Sequence, residues 1–222
     1  MTTTTPPLQQ RLEAILPALI ELRRHLHSHP ELSGEEHQTA ALISGELRQC
    51  GWRVREGVGR TGVMAELGPQ SGPQLGLRVD MDALPVEERT DLPYASLRQG
   101  VMHACGHDLH SCIGLGVARL LAQEASLPVG MRLLFQPAEE LAQGARWMRA
   151  DGATDGLSAL FGVHVFPSLP VGTIGVRSGS LITLPYSMDY NDSILHRQQY
   201  EAADYATVSR DAFDTLYEEG GQ

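Results

Sequence analysis

Residues Val101–Cys112 read Val-Met-His-Ala-Cys-Gly-His-Asp-Leu-His-Ser-Cys and hold three of the nine histidines and two of the three cysteines. Cys105 and His107, two positions apart, can reach one metal ion if the backbone between them turns, and Gly106 permits that turn. A nearby divalent cation would itself deprotonate the thiol. The same residues admit a plainer reading. His103, His107 and His110 also fit one polar helix face, with Cys105 and Cys112 as small buried hydrophobes. The stretch alone does not choose between the two.

Other residues of the same chemical type are spread along the chain. Asp80 and Asp82 follow the apolar run Leu75–Val79, Glu139 and Glu140 follow Met131–Phe135, and His164 sits near the end of Ala159–Val165. All five lie at or just past the ends of predicted strands, the edge of an open α/β sheet where ligand sites form. Taken singly, each is more simply a solvated loop residue. Five on one edge favour a shared site.

Cys105, His107, one carboxylate and His164 would make a soft-to-borderline ligand set suited to zinc, manganese or cobalt rather than calcium. Adjacent glutamates are useful there. One can bind the ion while its neighbour acts as general base to a metal-bound water, and the metal polarises a carbonyl. That combination is metal-assisted amide hydrolysis. Acidic residues opening a helix are the alternative for Glu139-Glu140, and both can hold together.

Competing chemistries lack their residues. All seventeen cations are arginine and lysine is absent, which removes Schiff-base chemistry and a P-loop lysine. There is no His-x-Glu with Pro-Cys-x-x-Cys for a zinc deaminase and no Gly-x-Ser-x-Gly elbow. Gly57-Val-Gly59-Arg-Thr-Gly62 resembles a dinucleotide fingerprint but precedes a strand instead of opening a helix.

The elements that must position these groups alternate. Leu12, Ile15, Leu19, Leu22 and Leu26 predict a helix over 8–27, ended by Pro30. Ser33-Gly-Glu-Glu36 reads as a capping box opening a second helix through Leu47, stopped at Gly51. His25, His27 and His29 do not share one helix face and read as solvated or dipole-facing. Strands are predicted at Thr61–Leu67, Leu75–Val79, Met131–Phe135, Ala159–Val165 and Val171–Val176, and helices at Leu109–Glu124 and about 142–150. The fold class is α/β, a mixed, mainly parallel sheet with helices on both faces.

The totals agree. The 222 residues are 42% hydrophobic, enough for a core, and the net charge of −10 argues against a nucleic-acid or anionic-membrane surface. Three cysteines make no disulfide framework, and the N-terminus lacks a signal peptide's pattern. The expectation is a soluble, cytoplasmic protein.

By these residues the chain resembles the M20 metallopeptidase family, in the branch of amidohydrolases acting on N-acyl amino acids, hippurate and auxin conjugates. The resemblance runs over about residues 10–181. It is carried by Leu22-Arg-Arg-His-Leu-His-Ser-His-Pro-Glu-Leu-Ser33, Val79-Asp-Met-Asp-Ala-Leu-Pro85, Met102-His-Ala-Cys-Gly-His-Asp108, Phe135-Gln-Pro-Ala-Glu-Glu140 and Gly162-Val-His164. It implies a zinc-exopeptidase-like catalytic domain with up to two divalent ions, manganese, zinc or cobalt. Cys105, His107, Glu140 and His164 would be ligands, Glu139 the general base, and Asp80 and Asp82 orienting groups.

Family members are longer. They insert a lid domain with a histidine motif that mediates dimerisation, and supply a last metal-binding histidine near the C-terminus. Residues 186–222 instead carry six aromatics and eight acids against two arginines. The expected division is therefore 1–181, the N-terminal part of the catalytic domain, and 182–222, a divergent acidic tail, as in a truncated gene. Two functions follow as expectations. One is hydrolysis of a small N-acyl amino acid, with no nucleic-acid or membrane partner. The other is a non-catalytic remnant or interaction module keeping part of the metal site.

Overall fold

The computed structural model describes residues 6–166 and 174–175. The predicted strand Val171–Val176 and the 182–222 tail lie outside the described residues, apart from Ile174 and Gly175. The element order is α1 (Leu8–Ser28), α2 (His37–Gln49), β1 (Arg53–Val58), β2 (Gly62–Leu67), β3 (Gln74–Asp80), α3 (His107–Leu121), β4 (Gly130–Gln136), α4 (Gly144–Ala150) and β5 (Leu157–Gly162).

The five strands form one mixed sheet in the order β1-β2-β4-β3-β5. β1 pairs with β2, and β2 with β4, antiparallel. β3 runs parallel to both β4 and β5, with Asp80 opposite Gln136 and Arg78 opposite Gly162. This register brings the carboxyl ends of β3, β4 and β5 to a common edge, and the segments leaving that edge carry the candidate residues.

Alternation along the strands splits the core between two faces. Val63, Ala65, Val79, Leu133 and Phe135 point toward α1, α2 and α3, joining Leu19, Ile43, Leu47 and Leu115. Met64 and Leu134 point the other way and pack with Val58, Met148 of α4 and Ala153. Helices therefore cover both faces. Trp52 locks α3 onto this core by donating its indole N–H to Ala118 O at 3.1 Å.

Some local expectations change. β1 is an addition to the predicted strands, because Arg53-Val-Arg-Glu-Gly-Val58 is an edge strand with only Val58 buried and carries no apolar alternation. Ser33-Gly-Glu-Glu36 is not a capping box. α2 starts at His37 without a side-chain cap bond, and Ser33 and Glu36 bond elsewhere. Gly57–Gly62 is the β1–β2 turn, with Gly57, Gly59 and Arg60 at positive φ. Among the described residues, no helix is long and apolar enough to cross a membrane.

Candidate metal centre

Gly106 sets the first pair of donors. Its φ of 81° lies in the left-handed region, which costs glycine nothing, and a Cβ there would stand 2.7 Å from Val165 Cγ2. The chain turns at this point and enters α3, so Cys105 stays at the mouth while His107 goes inside, with no exposed surface. Cys105 Sγ lies 3.7 Å from His164 Nε2, which arrives from the segment after β5.

His107 is the centre of the cluster. Its Nδ1–H donates to Asp82 O at 2.9 Å, with Asp82 Oδ1 at 3.2 Å, which leaves Nε2 facing inward. Nε2 is buried without a hydrogen bond. Asp80 Oδ1, Glu139 Oε2 and Glu140 Oε1 each stand 3.7 Å from it, just beyond hydrogen-bonding reach. Burial alone would lower the His107 pKa, but the charges of Asp80 and Asp82 outweigh it and raise it well above the ordinary value. The same carboxylates would attract a divalent ion.

Three overlapping groups place their donor atoms within 4.8 Å of one another: Cys105, His107 and His164; Asp80, His107 and His110; and His107, Glu139 and Glu140. A buried imidazole nitrogen without a hydrogen bond, a thiol and clustered carboxylates fit a borderline divalent cation. Burial pushes the Cys105 thiol up, with Glu140 and Glu139 adding to the push. A bound cation would reverse that direction.

All seven residues singled out from the sequence come together: Cys105 and His164 on the more exposed side, and His107, Glu139, Glu140, Asp80 and Asp82 buried. Asp82 Oδ2 accepts the Glu140 N–H at 3.0 Å and the Ser33 hydroxyl at 2.6 Å. Asp80 is fully buried. Burial opposes its charge, but Arg78, His107 and His110 outweigh it and hold the carboxyl below its usual range. Arg78 reaches Asp80 Oδ2 at 2.7 Å.

The Glu139-Glu140 turn is constrained by its backbone. Ala138 and Ala142 both have positive φ, 47° and 53°, an arrangement that costs a non-glycine residue about 1–3 kcal/mol. Gly144 closes the turn so tightly that a Cβ would stand 1.5 Å from Pro137 O. Gly144→Ala should therefore destabilise the fold by about 2–3 kcal/mol and disturb both glutamates, read by denaturant unfolding. A change under about 0.5 kcal/mol would contradict this packing.

Reading the sequence missed His110. It lies one helical turn after His107, and its Nδ1–H donates to Asp80 Oδ1 at 2.6 Å. Its Nε2 accepts the Val165 N–H at 2.8 Å, pinning the backbone beside His164. The i, i+3 spacing from His107 was the available signal. His110→Ala should weaken metal binding about 10–100-fold, as loss of a ligand-orienting partner does, measured by calorimetric titration. Unchanged affinity would remove His110 from the centre.

His27 also departs from expectation. It is buried, not solvated: Nδ1 bonds Asp108 Oδ2 at 2.8 Å and Nε2 faces Glu88 Oε1 at 3.2 Å. The Asp108 bond is the main cause of its raised pKa. With Arg23 also on Asp108 at 2.8 Å, this group ties the end of α1 to the start of α3. His103 is buried beside it, and burial lowers its pKa to about 4, so it is neutral.

Comparison with known proteins places this arrangement. The family described as Peptidase family M20/M25/M40 matches residues 76–218, a span that includes most of the segment read as a divergent tail. A probable hydrolase of Synechocystis sp. is 55% identical over 177 residues, covering 78% of this chain and 45% of the relative. An N-acetyl-L-cysteine deacetylase of Bacillus subtilis is 49% identical over 166 residues, covering 74% and 40%. The solved structure of the Bacillus subtilis YXEP protein, described as a dinuclear metal binding peptidase from M20 family, superposes with a TM-score of 0.71 at 47% identity. That match covers 75% of this chain and 48% of that one. The chain thus spans less than half the length of these relatives. Over the part it shares with them, its sequence and its fold assign it to one group: it belongs to the M20/M25/M40 peptidase family.

Proposed function

We propose that the chain is a metal-dependent hydrolase acting on the amide bond of N-acyl amino acids or related conjugates. The observation that carries this reading is the buried His107 Nε2 facing Asp80, Glu139 and Glu140 oxygens at 3.7 Å, beside the Cys105–His164 pair. Family membership and the deacetylase relative support the substrate class.

In this reading Cys105, His107, Glu140 and His164 would hold a divalent ion, manganese, zinc or cobalt, of the up to two expected at such a site. Such an ion, when bound, acidifies water and polarises the amide carbonyl. Glu139 takes a proton from the attacking water and passes it to the nitrogen of the leaving amine. His107 keeps Nε2 toward the metal because Asp82 O holds the proton on Nδ1. Asp80 and His110 keep the segment bearing His164 in place.

The test is release of free amino acid from a panel of N-acyl amino acids, with manganese, zinc or cobalt supplied. Turnover that disappears with a chelator and returns with metal supports the proposal. Metal binding by a folded chain without turnover would favour a non-catalytic metal-binding module.

A further inference from the structure

Glu36 is fully buried, and among the described residues it has no ion-pair partner. Its side chain makes no cap bond to the helix it precedes. One oxygen, Oε1, instead accepts the backbone N–H of Ala138 at 2.8 Å, across 102 residues of sequence. The other accepts the Thr61 hydroxyl at 2.5 Å. Ala138 is itself buried, has a φ of 47°, and immediately precedes Glu139. A carboxylate left in the interior without a counter-charge is costly, so its retention calls for a role. Burial pushes its pKa up, against the bonds from Thr61, Gly34 and Ala138.

We propose that Glu36 is a positioning residue for the general base, fixing the strained Ala138 amide so that the Glu139-Glu140 turn presents both carboxylates to His107. This inference rests on the reading of Glu139 as that base. The α1–α2 connection braces the turn twice. Glu36 holds its start through Ala138, and Ser33 holds its end through Asp82 Oδ2, which also takes the Glu140 N–H. A segment with the sequence of a helix cap thus reaches across the domain and holds the catalytic turn.

The test compares wild type with Glu36→Ala and Glu36→Gln by amide hydrogen exchange, cobalt(II) titration and amide hydrolysis. Glutamine keeps an oxygen for the Ala138 N–H and offers its amide to Thr61 while removing the buried charge. In Glu36→Ala the Ala138–Glu140 amides should exchange at least tenfold faster, while those of Leu115 and Ala65 in the core stay at the wild-type rate. Cobalt affinity should fall at least tenfold, and kcat should fall with KM within threefold. Glu36→Gln should restore all of these to within threefold of wild type. If Glu36→Ala does not fold, Glu36→Asp, one carbon shorter, should show the same local pattern at threefold or more.

Unchanged exchange at Ala138–Glu140, or exchange that rises equally at Leu115 and Ala65, would overturn the proposal. So would failure of Glu36→Gln to restore the turn. The exchange arm needs no metal. If wild type neither binds cobalt nor hydrolyses amides, the functional reading fails while the role of Glu36 in the turn is still decided.

Discussion

Glu139→Gln should lower amide hydrolysis by about 10²–10⁴-fold while leaving metal binding within about threefold of wild type, the range expected when a general base is removed. Glutamine has nearly the same shape, so the turn set by Ala138, Ala142 and Gly144 is preserved. What it lacks is the basicity of a carboxylate, since its neutral amide oxygen does not take a proton from water. Glu139 is 3% exposed and its Oε2 stands 3.7 Å from His107 Nε2, close enough to the proposed ion to act on water beside it. The assay is release of free amino acid, run beside a metal titration. A loss below tenfold would take the base role from Glu139. Loss of metal together with activity would make it a ligand instead.

His107→Ala should have the second large effect, on binding and on stability. Its ring is shared by all three donor groups, so its removal should weaken metal affinity by more than 100-fold, beyond the effect of losing an orienting partner such as His110. It also faces Asp80, Asp82, Glu139 and Glu140. Without metal, its charge joins that of Arg78 beside Asp80 in compensating these buried carboxylates, and breaking such a compensated group costs about 3–5 kcal/mol. Denaturant unfolding of the metal-free variant checks the second effect. Wild-type affinity together with wild-type stability would mean that His107 is not the hub of the site.

Much of this site is legible in the amino-acid sequence, for a physical reason. Buried parallel strands need apolar runs, so Leu75–Val79 and Met131–Phe135 stand out, and polar residues directly after such runs fall on one edge of the sheet. Asp80, Asp82, Glu139, Glu140 and His164 are legible in that way. The resemblance to the family then attaches roles to them. What escapes are bonds with no local signature. Glu36 to Ala138 spans 102 residues, and Ser33 to Asp82 spans 49. A capping box offers both side chains a local explanation, and it is the wrong one. His27 escapes because helical spacing shows which residues share a face of α1, but not that Asp108 and Glu88 arrive from elsewhere to meet one of them. β1 escapes because an edge strand of alternating arginine, valine and glutamate has no apolar periodicity to detect.

A cation held by a thiolate and imidazoles at the carboxyl edge of β3, β4 and β5 has a spectroscopic signature. A thiolate ligand gives cobalt(II) a sulfur-to-metal charge-transfer band that nitrogen and oxygen ligands do not, so a cobalt titration followed by absorption reads the site itself. The metal-free chain should develop this band on saturation, Cys105→Ser should bind cobalt without it, and His164→Ala should bind more weakly. A folded wild-type chain that takes up no cobalt, or takes it up with a spectrum unchanged in Cys105→Ser, would mean that no such centre exists.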